Sequence, residues 1–150
     1  MTDLPALLII NGPNLNMLGK REPSIYGTAT LADIENLCRD AAETHGFASR
    51  FMQSNSEHEI IDAIHQAITG NVAAILINAG AFTHTSVAIR DALAMVSGPV
   101  IEIHLSNVHA RESFRHHSYI AGVASGVIAG FGPASYTLAV DAAASLLSRE

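Results

Sequence analysis

The chain has 150 residues, the size of one ordinary domain and enough to bury an apolar core. Its net charge is −6 and Lys20 is its single lysine, so we expect no nucleic-acid partner, because such binding needs a basic surface. No apolar run approaches the ~20 residues of a membrane span, and the amino terminus lacks the pattern of a signal peptide. These features predict no membrane association.

The charge content and the cysteine count indicate assembly and compartment. Charged residues make up 15% of the chain, against a usual level of roughly 25%, which suggests that other subunits cover much of the surface. The one cysteine, Cys38, cannot form an intrachain disulfide, and this favours a reducing compartment. We therefore expect a cytoplasmic protein that associates with copies of itself.

Short apolar runs alternate with helical patterns from end to end. In chain order they predict a strand at 7–10, a helix at 30–44, a strand at 47–53, a helix opening at Ser56, a strand at 72–77, a helix at 86–96, a strand at 100–105, a helical turn at 111–114, a strand at 127–131 and a helix at 133–147.

Local sequence patterns in three of the predicted helices indicate where two of them begin and which face of the third is buried. Thr30, with Asp33 three residues on, is typical of a helix N-cap, and the segment from Ser56 to Glu59 has the pattern of a capping box. On the helix at 86–96, we expect Val87 and Leu93 to lie on the inner face and Asp91 to point outward.

Five strand–helix units with continuously apolar strands predict a parallel sheet covered on both faces. Of the two doubly wound arrangements at this length, the five-stranded flavodoxin-like order 2-1-3-4-5 fits best, as a single α/β domain over residues 1–150. Ligands of such folds bind at the carboxyl ends of the strands, where polar loops follow in this sequence.

The fourth strand carries the most informative polar residues. Glu102, His104 and Ser106 share one face of it, because strand side chains alternate. A carboxylate beside an imidazole orients the ring, which suits a general acid. The alternative is that this face is the wet side of an edge strand.

Two loops near the amino terminus offer further polar groups. The loop after the first strand, 11–16, holds three asparagines and lacks a phosphate-binding pattern, so it suits hydroxyls or a held water, or is a plain turn. The loop at 19–27 is bracketed by glycines like a lid, and Arg21 within it would favour the phenolate of Tyr26. The alternative is an ordinary surface loop.

Further candidates follow the third and fourth strands. The segment 78–86 brings an amide, hydroxyls and His84, which is a ligand-facing residue or only a cap contact. A short polar segment after the fourth strand gathers Arg111, Arg115, His116 and His117, and Arg115 suits a carboxylate or hydroxyl or is simply solvated. The chain has eight histidines, but none at a spacing of four and no second cysteine, so we expect no metal site.

Taken together, these loops closely resemble the type II 3-dehydroquinate dehydratases. The blocks that carry the resemblance are 11–16, 18–23 with 26–27, 78–80 through 84–86, 102–107 and 114–119, in the same order and at compatible spacing. The resemblance implies a flavodoxin-like lyase that needs no metal or organic cofactor. It would convert 3-dehydroquinate to 3-dehydroshikimate through an enolate in the shikimate pathway, or in quinate breakdown.

The resemblance also implies residue roles. Tyr26 would take the C2 proton with help from Arg21, and His104, oriented by Glu102, would protonate the departing C1 hydroxyl. Asn14 would position a water or the enolate oxygen. Binding residues implied for the carboxylate are Asn78, Ser106 and Leu105, and for the ring hydroxyls His84, Arg115 and Asp91. Asp91 would come from a neighbouring subunit of a dodecamer built from trimers.

Two functions of other classes fit the same fold less well. A receiver domain would need an acidic cluster after the first strand and an aspartate after the third, where this chain has Asn11, Asn14 and Asn78. A flavin-binding electron carrier would need a phosphate loop and stacking aromatics, and the chain has no tryptophan. Without the resemblance, the residues alone favour a cofactor-free lyase or hydrolase.

Overall fold

A five-stranded parallel sheet organises the computed structural model, which describes residues 4–20, 24 and 27–149. The strand order is β2-β1-β3-β4-β5, as the sequence predicts. The strands are β1 (Ala6–Asn11), β2 (Ala48–Gln53), β3 (Val72–Asn78), β4 (Val100–His104) and β5 (Gly126–Ala129). Since every neighbouring pair is parallel, the carboxyl ends of all strands lie at one edge of the sheet.

Among the described residues, the α-helices that connect or follow the strands are α1 (Leu31–Thr44), α2 (Glu57–Thr69), α3 (Val87–Leu93) and α4 (Ala134–Leu147). They cover both faces of the sheet. The apolar stripes of α1 and α4 pack on one face, around Ile34 and Tyr136, and those of α2 and α3 pack on the other, around Ile64 and Ile89. Within the described ranges, no helix is long and apolar enough to cross a membrane.

The start of α1 matches the prediction and the start of α2 differs from it. At α1, the Thr30 side chain accepts from the Asp33 N–H and the Asp33 carboxylate accepts from the Thr30 N–H, which is a complete capping box. At α2, Ser56 caps the Glu59 N–H, but the Glu59 carboxylate accepts from the Ser54 hydroxyl instead. The Ser56 N–H donates to that same hydroxyl, so Ser54 takes the place expected for Glu59.

Helix α3 is shorter than predicted and turned differently. It ends at Leu93, and beyond it Val96 bonds back to the Leu93 carbonyl, three residues earlier, as the chain tightens toward the next strand. Val87 is 50% exposed, so the prediction that it lies inside is wrong; Ile89 and Leu93 are the buried large residues. Asp91 does point outward, with its side chain 62% exposed.

The segments after β4 form short 3₁₀ turns rather than one helical turn at 111–114: Val108–Ala110, Ser113–Arg115 and Ala121–Val123. Strand β5 ends two residues before the predicted Phe131, because Gly130 takes a φ of 101°, which breaks the extended backbone. These turns bring the polar residues of 106–118 over the carboxyl end of β4.

Candidate active site

A cleft lies at the carboxyl ends of β1, β3 and β4, where the fold predicts a ligand site. Its space of about 690 Å³ includes open solvent at the mouth. The residues that line it are Pro13, Asn14, Leu15, Asn78, Gly80, Ala81, His84, His104, Leu105, Ser106, Val108, Arg111 and Arg115.

Strand β4 supplies a buried carboxylate–imidazole pair. Glu102 is 1% exposed and His104 is 6% exposed, and the Oε2 of Glu102 lies 2.5 Å from the Nε2 of His104. Because β4 lies between β3 and β5, this face is not the wet side of an edge strand, and that alternative is wrong. With the carboxylate ionised, Nε2 carries the hydrogen, and Nδ1 is the ring nitrogen left for a ligand.

Two side chains flank this pair. The Ser118 hydroxyl lies 2.9 Å from both carboxylate oxygens of Glu102. The ring of His84 lies nearly parallel to that of His104, with ring centroids 6.5 Å apart. The Nδ1 of His84 is 2.8 Å from the His117 carbonyl oxygen, so Nδ1 donates and Nε2 is the ring nitrogen left for a ligand. The cleft thus presents two imidazoles, each with one ring nitrogen engaged by the protein.

The end of β3 presents a neutral amide that is fixed by a chain of hydrogen bonds. Asn78 donates from Nδ2 to the Tyr136 hydroxyl at 2.9 Å, and Tyr136 donates to Oδ1 of Asn11 at 2.6 Å. Oδ1 of Asn78 accepts from the Gly80 N–H. The side chains of Asn78, Tyr136 and Asn11 are all buried. Burial raises the pKa of Tyr136 well above its usual range, so its hydroxyl stays protonated. Asn78 therefore has one orientation in the cleft.

The loop after β1 uses its asparagines for different purposes. Asn11 is buried and donates to the Met52 carbonyl, so it is structural rather than ligand-facing. Asn14 lines the cleft with a φ of 70°, a left-handed conformation that asparagine tolerates better than most residues. Gly12 is required here, because a Cβ would lie 2.1 Å from the Ala79 carbonyl oxygen. The two loops after β1 and β3 therefore touch directly.

Two arginines form the opposite wall. Nε of Arg115 donates to the Glu112 carboxylate at 3.0 Å, and Nη1 of Arg111 lies 3.4 Å from the Ser106 hydroxyl. The pKa of Glu112 lies below its ordinary value, because its own backbone N–H and then the Arg115 guanidinium hydrogen-bond the carboxylate. Glu112 therefore stays ionised at neutral pH and orients Arg115, whose other N–H groups remain to meet an anion or a hydroxyl.

The structure brings most of the predicted site residues together and separates one. Those that line the cleft are Asn14, Asn78, His84, His104, Leu105, Ser106 and Arg115, with Glu102 directly behind His104. Asp91 lies elsewhere on the surface, 3.5 Å from the Arg90 guanidinium. Arg21 and Tyr26 fall outside the described residues.

The sequence prediction assigned no role to three residues of the site: Arg111, Ser118 and Tyr136. Arg111 had a signal, since it lies in the same polar segment as Arg115. Ser118 lies directly after paired histidines, and Tyr136 is the one aromatic residue on α4. Neither position in the sequence indicates which residue the side chain contacts. The hydrogen bond from Ser118 to Glu102 joins residues 16 apart in sequence, and that between Asn78 and Tyr136 joins residues 58 apart. Local sequence patterns do not predict contacts over such separations.

The arrangement defines a class of protein. A doubly wound α/β fold holds a carboxylate–imidazole pair, a fixed amide and two cations around one small cleft. Such a cleft is suited to a small polar anion, and its imidazole can donate a proton to an oxygen atom of a bound ligand.

Comparison with known proteins identifies the family. Residues 5–144 match the model of the dehydroquinase class II family, and the chain belongs to that family. It is 60% identical to a 3-dehydroquinate dehydratase of Methylobacterium radiotolerans over 134 residues, which is 89% of each chain. It is 56% identical to that of Thioalkalivibrio sulfidiphilus, over 95% of this chain and 97% of the relative. The crystal structure of type II dehydroquinase from Propionibacterium acnes superposes with a TM-score of 0.91 at 39% identity, over 97% of this chain and 99% of that one.

Proposed function

We propose that this chain dehydrates 3-dehydroquinate to 3-dehydroshikimate. The observation that carries the proposal is the Glu102–His104 pair facing a cleft that also holds Asn78, His84 and Arg115, in a member of the class II dehydroquinase family. The reaction removes the C2 proton and the C1 hydroxyl as water, and leaves a C1–C2 double bond conjugated with the C3 ketone. It needs a base, an acid and donors for the enolate oxygen.

His104 is the acid in this proposal. As the imidazolium, its Nδ1 gives the proton to the C1 hydroxyl as the C1–O bond breaks, while Nε2 stays bonded to Glu102. Tyr26 accepts the C2 proton and Arg21 favours its phenolate; these two roles rest on the family resemblance. Asn14, which lines the cleft, is suited to hold the water or the enolate oxygen that forms at C3.

The remaining cleft residues bind the substrate. Asn78, Ser106 and the backbone at Leu105 take the carboxylate, and His84 and Arg115 take ring hydroxyls. The two arginines of the cleft wall offset the substrate's negative charge in a chain whose net charge is −6. The proposed reaction needs no metal or organic cofactor, and it serves aromatic biosynthesis or quinate breakdown, which share this step.

The proposal includes an oligomer, in which trimers assemble into a dodecamer and Asp91 of one subunit completes the site of another. Asp91 is exposed on its own subunit, outside the cleft, and Phe114 and Phe131 are large apolar residues that are more than half exposed. A dilution series tests this. Specific activity should fall as the oligomer dissociates, and fully active monomers would contradict a shared site.

We further propose that residues 1–150 act as one catalytic domain in the cytoplasm. All five strands join one sheet, and the single cysteine, Cys38, is buried and free. Limited proteolysis of the folded protein should therefore leave a core that keeps the whole sheet.

One assay tests the proposed reaction. The protein, with a metal chelator present, is mixed with 3-dehydroquinate, and the absorbance of the conjugated enone is followed. We expect steady production of the enone, and its loss in Tyr26→Phe, which lacks only the proton-accepting oxygen. A folded wild-type protein that forms no enone would overturn the proposed function, and an active Tyr26→Phe variant would overturn only the role of Tyr26.

A further inference from the structure

Ser118 belongs to none of the roles assigned so far, yet its hydroxyl contacts both oxygens of Glu102 at 2.9 Å. Glu102 is a buried carboxylate, and a buried charge is costly unless hydrogen bonds compensate it. The compensation in this structure comes from the His104 imidazole on one side and the Ser118 hydroxyl on the other. Both contacts therefore bear on where the carboxylate lies.

The hydrogen-bonding capacity of Ser118 is fully used. Its Oγ accepts from the Ile120 N–H at 3.1 Å and from the Ala121 N–H at 3.0 Å. A hydroxyl has two acceptor sites and one hydrogen, so both acceptor sites are taken and the hydrogen is committed to Glu102. The two backbone N–H groups polarise the hydroxyl in the direction that strengthens its donation to the carboxylate.

The segment that carries Ser118 is itself anchored. The Ile120 side chain is completely buried in the core on the α2 and α3 face of the sheet. The Tyr119 N–H donates to the Thr83 carbonyl at 2.9 Å, and the His117 carbonyl accepts from His84. The hydroxyl is thus held by a short turn that also orients an imidazole of the cleft.

We propose that Ser118 is a positioning residue for the acid step, an inference that rests on the proposed function. Its hydroxyl holds the Glu102 carboxylate against Nε2 of His104 and keeps that carboxylate from turning toward the N–H groups of 120 and 121. Without the hydroxyl, those two N–H groups attract the carboxylate themselves, and His104 loses the partner that fixes its ring.

The test is Ser118→Ala. We expect kcat to fall about 10- to 100-fold, the effect of losing a hydrogen bond to a charged group, with KM within about twofold. Because only the acid step is impaired, the variant should still exchange the C2 proton of 3-dehydroquinate with solvent deuterium. In a Glu102→Gln background, Ser118→Ala should cost less than about threefold, because the two residues act as one unit.

Ser125→Ala is the matched control. The Ser125 hydroxyl also accepts from a backbone N–H, that of Val100 at 3.2 Å, but at the amino end of β4, away from the cleft. It should lower thermal stability while kcat and exchange stay normal. A Ser118→Ala protein with normal kcat would overturn the inference. Equal loss of exchange and elimination in a folded Ser118→Ala variant would also overturn it. So would a further fall in kcat of about 10- to 100-fold when Ser118→Ala is added to Glu102→Gln. An inactive wild-type protein would instead overturn the proposed function.

Discussion

The ends of β3 and β4 both bring a buried polar side chain to the same cleft, but they hold it by different chemistry. At β3, Asn78 is fixed by neutral groups, the Tyr136 hydroxyl and the Asn11 amide. At β4, His104 is fixed by an ionisable carboxylate, that of Glu102. Only the second arrangement can hold and release a proton. We therefore propose that the end of β3 serves binding and the end of β4 serves proton transfer, and substitutions should separate the two.

The largest effect is expected at β4. His104→Ala should lower kcat about 100- to 10,000-fold, the usual range for loss of a general acid, with KM changed only a few-fold. Steady-state kinetics of the enone product measure both.

His84→Ala is the control for that substitution, since its ring lies in the same cleft, 6.5 Å from the His104 ring. It should act mainly on KM, because His84 is proposed to bind a hydroxyl. Equal losses of kcat in the two variants would contradict the proposal that His104 transfers a proton while His84 only binds the substrate.

An intermediate effect is expected at β3. Tyr136→Phe removes the hydroxyl between Asn78 and Asn11, so the amide loses its fixed orientation. We expect KM to rise about 10-fold with kcat within about threefold, and the free energy of unfolding to fall by about 1–3 kcal/mol.

Tyr119→Phe is the matched control, because the Tyr119 hydroxyl has no hydrogen bond among the described residues; its ring packs edge-on against His117. It should leave KM unchanged. A fall in kcat without a change in KM in Tyr136→Phe would mean that the β3 end takes part in proton transfer.

The smallest effect at neutral pH concerns Cys38, a third buried group that lies away from the cleft. Burial first, and then the nearby negative charge of Glu35, raises the pKa of the Cys38 thiol to about 12. In the unfolded chain, the pKa of this thiol is about 8.5. Above that pH the unfolded thiol loses its proton while the native thiol keeps it, and this difference favours the unfolded state. Stability should therefore be unaffected at pH 7 and fall as the pH rises from about 9 toward 12.

Chemical denaturation at a series of pH values measures this slope, and Cys38→Ala should reduce it. The native thiol should also resist a thiol reagent at pH 8 until the protein unfolds. Rapid labelling of the native protein would contradict a buried, protonated thiol.

The sequence predicted the sheet order because five apolar runs and their intervening helices leave few doubly wound arrangements. It also predicted the pairing of Glu102 with His104, because two residues on one strand share a face. It could not predict that Tyr136 holds Asn78, because that contact depends on how α4 lies on the sheet. The Ser54 contact that replaces the expected capping box at Ser56 is equally a matter of local geometry.

The measurement that tests the central claim most directly follows solvent deuterium into C2 of 3-dehydroquinate in His104→Ala by NMR. We propose that Tyr26 removes the C2 proton and that His104 protonates the departing hydroxyl. This division of roles predicts that recovered substrate gains deuterium at C2 while enone formation is nearly abolished. Loss of exchange and elimination to the same extent, in a folded variant, would contradict it and make His104 a residue that the whole site requires.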